Sequence, residues 1–368
     1  MFSNFEREIE TIPLSMESGK LALQANGSVL IRYRDCVFLV TATMSKPREG
    51  IDFFPLTMEV EERLYSRGKI PGNFFRREGR PSSHGILIAR LADRPIRPLF
   101  PKGFRNEVQI IITPLSIDEE TPIEIFGIIG ASAALSISDI PFNGPVGATR
   151  MGYVDDKLVV NPTYAQLENS ELDIIVAGTR QGVTMIEAGA NNQSEDLVLK
   201  AIERAQEVNL EIIALQEEIT NSIGKLKVGF ESQSYPAELD DKLDALLNGR
   251  LSPVLKSAES KTQQSTDIDK LKNEVLDQLN EEYEENDLKD AFEHQLEKTF
   301  KRNILSGSER PDGRKVKEIR QISSEVALLP RAHGTGLFNR GETQILGVAT
   351  LGSLGNAQVL DTLTPHEK

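Results

Sequence analysis

Between residues 28 and 45 the chain reads SVLIRYRDCVFLVTATMS, two runs of β-branched and aromatic residues on either side of Arg34-Asp35. That pattern predicts a β-hairpin turning at the Arg-Asp pair. EVQIIITPLS (107–116) and LDIIVAGT (172–179) are short, almost unbroken apolar runs, the mark of strands buried on both faces. EIFGIIGASAALSISDI (124–140) is too long for a strand and rich in Ala and Ser, which predicts a buried helix. In SEDLVLKAIERAQEVNLEIIALQEEIT (194–220), Leu197, Ala201, Ala205, Val208 and Ile212 share one helical stripe and Ser194 stands where an N-cap belongs. Residues 1–228 thus read as mixed strands and helices.

The texture changes from about Tyr235 to Leu305, where no strand pattern remains. Ile268, Leu271, Val275 and Leu279, then Leu288, Phe292, Leu296 and Phe300, recur at helical spacing. Thr266 begins a T-x-x-D cap ahead of the first set, and SAESKTQQSTD (257–267) is expected to separate two helical parts. After the turn sequence RPDGR (310–314), strand texture returns. GTGLFNRGETQILGVATLG (334–352) laid under GSVLIRYRDCVFLVTATMS (27–45) matches Gly27/Gly334, Leu30/Leu337, Leu39/Leu346, Ala42/Ala349 and Thr43/Thr350 without a gap. Two hairpins obeying the same β-propensities give such matches by chance; a duplicated domain gives them by descent, and the returning strand texture favours the second. The expected domains are 1–229, an acidic all-helical 230–308, and 309–368 as the opening of a second copy. That opening leaves an unpaired edge and apolar residues such as Leu346 and Val348 uncovered.

Charge sharpens this outline. The 368 residues carry a formal charge of −14, and residues 231–305 hold 18 acids against 10 bases. Residues 63–105 run the other way, with eleven Arg/Lys against Glu78 and Asp93. A positive zone on an otherwise repelling body suits a polyanion admitted at one place, unless those arginines pair with acids elsewhere in the fold. Cys36 is the single cysteine, which excludes an intrachain disulfide. Glu6, Glu8 and Glu10 stand where a signal peptide needs a basic and then an apolar run, and the uncharged run 125–138 is only 14 residues, short of a bilayer span. The expectation is a soluble cytoplasmic protein without a membrane partner. Four scattered histidines and one cysteine offer no metal-ligand cluster.

FFRREGRPS (74–82), LIARLADRPIRPLFP (87–101), RPDGR (310–314) and LPRAHGTGLFNRGETQ (329–344) occur in the order found in polynucleotide phosphorylases, and the chain resembles that family along its whole length. The resemblance implies an α/β core of the RNase PH-like type (α+β, ribosomal protein S5 domain 2-like), an all-α domain, and the opening strands of a second RNase PH-like core. It implies a homotrimeric ring threaded by single-stranded RNA, with inorganic phosphate as co-substrate, Mg²⁺ as cofactor and RNA degradosome components as possible partners. Phe74, Phe75, Arg76, Arg77 and Arg80 would then line the channel, rings stacking on bases and guanidinium groups meeting phosphates. Arg331, His333 and Arg340 could border the RNA path or simply orient the hairpin. Arg90, Arg94 and Arg97 are expected to hold the core through ion pairs. His84 departs from the family's usual residue types and receives no role.

The implied reaction is processive 3′-to-5′ phosphorolysis releasing nucleoside 5′-diphosphates. It needs a hydroxyl-and-amide cradle for phosphate and acids holding Mg²⁺, which the family places in its second core. At the matching place the first copy has Thr121-Pro122-Ile123-Glu124, in which proline lacks the amide donor and isoleucine the hydroxyl. Asp173 matches one family aspartate, but Leu167 and Ile175 hold the places of the other aspartate and the lysine. Asp173 is expected to cap or pair locally. No catalytic residue is expected in these 368 residues, and the mRNA-degrading activity is assigned to the intact protein. The rival reading is a non-catalytic RNA-binding subunit of an exosome-like ring.

Overall fold

The computed structural model describes residues 3–48, 50, 51, 53–71, 78–230, 235–247, 249–256, 261–307, 310, 314, 315, 317–356, 362 and 363. They divide into two compact units, Met1–Ser232 with Gln358–Lys368, and Gln233–Ala357.

In the first unit the predicted hairpin is β3 (Gly27–Tyr33) and β4 (Cys36–Met44), and Arg34 turns it with φ 53°. They lie in a six-stranded sheet with β1 (Ser3–Ile9), β2 (Ile12–Ser18), β5 (Leu56–Val60) and β6 (Val108–Ser116), in the order β1-β2-β3-β4-β6-β5. Only the β5–β6 pairing is parallel, and the crossover between them carries α1 (Ser83–Ile96). The Ala- and Ser-rich segment is α2 (Glu124–Ile137), with every residue but Glu124 buried. Its small side chains let it lie directly on the hairpin: a Cβ on Gly27 would stand 2.0 Å from the Ala134 carbonyl oxygen, and one on Gly130 2.4 Å from Val40 Cγ2. Phe126 then fills the gap against Phe38, rings stacked at 5.4 Å, and Tyr33 at 5.0 Å.

A second sheet, of β7 (Gly147–Val154), β8 (Lys157–Val160), β9 (Leu172–Thr179) and β10 (Gly182–Ala190), runs in the order β10-β9-β7-β8, with α3 (Tyr164–Glu168) between β8 and β9. The long helix α4 (Glu195–Ile223) covers it, and the Ser194 hydroxyl caps its start by accepting from the Leu197 amide. Asn209 in α4 is fully buried, accepting from the Thr149 hydroxyl and donating to the Val176 carbonyl. These bonds fix where the helix sits along the sheet. Leu363 also joins the first unit's core, and the Thr362 carbonyl accepts from Arg67.

The second unit opens with α5 (Ala237–Leu246), α6 (Leu251–Lys256), α7 (Lys261–Leu279) and α8 (Glu285–Ser306). Thr266 does not begin α7: the helix starts at Lys261 and runs through most of the polar stretch expected to break it. Lys, Gln and Thr are acceptable in an exposed helix, and no Gly or Pro interrupts them. Leu271, Val275, Leu288 and Phe292 form the core of this bundle, whereas Phe300 is exposed. Three antiparallel strands follow, β11 (Ile322–Val326), β12 (Gly334–Arg340) and β13 (Thr343–Ala349). Gly334 faces Ala349 and Arg340 faces Thr343, as Gly27 faces Ala42 and Tyr33 faces Cys36. The two hairpins therefore share one register at a spacing of 307 residues. In the second, Leu346 and Val348 are exposed.

Candidate functional site

Phe74, Phe75, Arg76 and Arg77 lie outside the described residues, but the stems that carry their loop do not. On the return side, Glu78 accepts from the Leu64 amide at 3.0 Å and from Arg63 at 3.1 Å. Glu62 then takes the Ser82 hydroxyl at 2.8 Å, while that hydroxyl accepts from the Gly85 amide and caps α1. The two carboxylates thus tie residues 78 and 82 to residues 62–64, next to the end of β5. Arg80, between residues 78 and 82, is exposed.

The arginine-rich zone is partly neutralised by the fold. Arg63 pairs with Glu61 and Glu78, Arg67 with Glu119, Arg94 with Glu187, and Arg97 with Asp93. Arg97 also donates to the Leu56 carbonyl, tying α1 to β5. The expectation for Arg94 and Arg97 thus matches their contacts. Arg90 differs: it is exposed and has no ion pair among the described residues. It faces a groove of about 1,220 Å³ between β5 and α1, whose walls include His84, Arg94, Arg97, Glu124 and Glu187.

Glu124 and Ile175, on the groove's wall, stand beside the place where a phosphorolytic centre would be sought. Arg150, in the middle of β7 and opposite Ile175, reaches Glu124 there. Its Nε and Nη2 donate to the two oxygens of Asp173, both at 2.8 Å, and its Nη1 donates to Glu124 at 2.9 Å. Burial by itself lowers the Arg150 pKa, but hydrogen bonding and attraction from Asp173 and Glu124 outweigh it and raise it above the ordinary value. Thr121 is buried and its hydroxyl donates to Asp118 at 2.9 Å, so it presents no free donor. Pro122, Ile123 and Ile175 are buried apolar groups around it. His84 Nε2 is 3.8 Å from Glu124 and is buried without a hydrogen-bond partner. Burial also raises the Tyr164 hydroxyl pKa, and that of the Cys36 thiol to about 12.

Mg²⁺ does not fit here. No group of three His, Cys, Asp or Glu that could hold a metal ion exists among the described residues, and a guanidinium already engages both nearby carboxylates. Sequence reasoning found Asp173 but missed Arg150, whose partners stand 23 and 26 residues away in the chain. In the second unit, Arg331, His333 and Arg340 are all exposed. His333 Nδ1 accepts from the Leu351 amide at 2.9 Å, bracing the hairpin, while Arg340 stands at the sheet's opposite end.

The chain matches family models described as the 3′ exoribonuclease family, domain 1 over residues 10–141 and domain 2 over residues 144–208. A further model, the RNA binding domain of polyribonucleotide nucleotidyltransferase, matches residues 238–315. The first unit is thus an RNase PH-like α/β core of the 3′ exoribonuclease class. Relatives named polyribonucleotide nucleotidyltransferase include those of Dehalococcoides mccartyi, 46% identical over 99% of this chain and 51% of its own, and Heliobacterium modesticaldum, 47% identical over 99% and 52%. That of Caldicellulosiruptor bescii is 48% identical over 99% and 52%. The chain belongs to the polyribonucleotide nucleotidyltransferase family and spans about half the length of these curated relatives. The solved structure of rice (Oryza sativa) Rrp46 overlaps 60% of this chain and 94% of its own at TM-score 0.45 and 14% identity, too distant to argue from. Among the described residues, no helix is long and apolar enough to cross a membrane.

Proposed function

We propose that this chain supplies the RNA-holding part of a phosphorolytic 3′-to-5′ exoribonuclease, and that the bond-breaking residues are not among its 368. The observation that carries the second half is Arg150. A site that must gather phosphate and a divalent cation cannot do so while a buried guanidinium holds both its carboxylates and Pro122 and Ile123 replace the phosphate donors. The first half rests on the loop at 71–77. The sequence Phe74-Phe75-Arg76-Arg77 supplies rings and cations side by side, the pairing that unstructured RNA requires. In this reading single-stranded RNA is the ligand, phosphate and Mg²⁺ act elsewhere in the intact enzyme, and the working form is a cytoplasmic ring-shaped homotrimer open to degradosome partners.

The loop is tested by binding. Replacing Phe74, Phe75, Arg76, Arg77 and Arg80 with alanine should weaken fluorescein-labelled oligo(A) binding by at least a hundredfold, because each stacked base contributes about 1–3 kcal/mol. Circular dichroism should show an intact fold. Unchanged anisotropy titrations in that folded variant would remove the loop from the account.

A further inference from the structure

Past α8, five cations line one cavity of about 210 Å³: Arg310, Arg314, Lys317, Arg320 and Arg340, with Glu318 the one carboxylate on its wall among the described residues. The backbone holds them there. The Arg310 amide donates to the Arg314 carbonyl at 2.7 Å, and Arg314 Nη1 donates to the Glu318 carbonyl at 2.9 Å. Glu318's carboxylate accepts from the Lys315 amide at 3.1 Å, which commits it to the turn. Register supplies the other wall: Ile322 faces Arg340, and the Gly341 amide donates to the Gln321 carbonyl at 2.9 Å, so Arg320 and Arg340 meet at one end of the sheet.

Lys317 and Arg340 have no carboxylate partner among the described residues, whereas Lys289 and Lys301 on α8 are paired with Glu285 and Glu297. Like charges gathered in a concave surface repel one another and focus a positive field, and an anion relieves both. The cavity has room for one or two phosphate groups. The helices before it carry a surplus of acids, so its cations stand out against an acidic stretch of the same unit.

We infer that the cavity is a phosphate-binding subsite, filled by an RNA backbone phosphate or by a free inorganic phosphate species. Its anion preference stands on the charges alone; RNA as the source rests on the reading under Proposed function. The test compares the 368-residue chain with the K317A/R340A double variant and with K289A/K301A, which makes the same charge change on α8. Each is titrated with labelled oligo(A) over a range of salt and, separately, with inorganic pyrophosphate by calorimetry, after denaturation confirms equal folding.

For RNA backbone binding, K317A/R340A lowers oligo(A) affinity about tenfold at low salt and reduces the slope of log K against log salt by about 1.4, at ~0.7 per single-strand phosphate. K289A/K301A shows less than half of that change. Loss of pyrophosphate binding alone, with oligo(A) unaltered, supports the subsite and assigns it to the free anion. Equal behaviour of the two double variants with both probes overturns it. If the parent chain binds no oligo(A), the RNA reading fails while the pyrophosphate titration still decides the subsite.

Discussion

Arg150 holds both Glu124 and Asp173, and its environment sets what its loss costs. Its side chain is 13% exposed and that of Glu124 14%, whereas Asp173 is 44% exposed. Arg150→Ala therefore leaves Glu124 buried and uncompensated, and should destabilise the chain by about 3 kcal/mol. Asp173→Asn, at the wetter end, should cost about 1 kcal/mol. Urea midpoints for both variants check the order; a costlier Asp173→Asn would mean that the pair's energy lies elsewhere. Cys36 gives a pH signature. Burial raises its thiol pKa from 9.0 to about 12, so between those values the folded chain keeps a proton that the unfolded chain gives up. Stability from this group is complete below about pH 9 and falls as pH rises toward 12. The urea midpoint should drop between pH 8.5 and 10.5, and drop less in Cys36→Ala.

At the scale of elements, the contact between α2 and the β3–β4 hairpin depends on absent side chains. A methyl on Gly27 meets a helix carbonyl that cannot rotate away. Gly27→Ala should cost about 1–3 kcal/mol by overpacking, measured as a lowered urea midpoint. Gly229→Ala, with nothing within 4 Å of its would-be Cβ, should change little. These elements were legible in sequence because each announces itself locally: the hairpin by paired β-branched runs, α2 by its length and Ala content, α4 by its stripe and Ser194. The start of α7 was not. Thr266 has the chemistry of a cap, but nothing upstream of it stops a helix, so the first turns continue back to Lys261. The Arg150 pairings were hidden for a different reason. A strand reads one residue at a time, and only the sheet brings residues 150 and 173 opposite one another's neighbours.

For the whole molecule, sequence located the cationic zone but not how far the fold would neutralise it. Pairings such as Arg67 with Glu119 and Arg94 with Glu187 span 52 and 93 residues, beyond any local pattern. We propose a division of labour: a core whose Glu124 and Asp173 are both engaged by an internal guanidinium, and RNA held by the cationic, aromatic segment 74–80. Release of ADP from poly(A), with inorganic phosphate and Mg²⁺ supplied, tests that division most directly. The 368-residue chain, confirmed to bind oligo(A), should release no ADP above a protein-free blank. Sustained phosphate-dependent ADP release would show that the chemistry resides here after all.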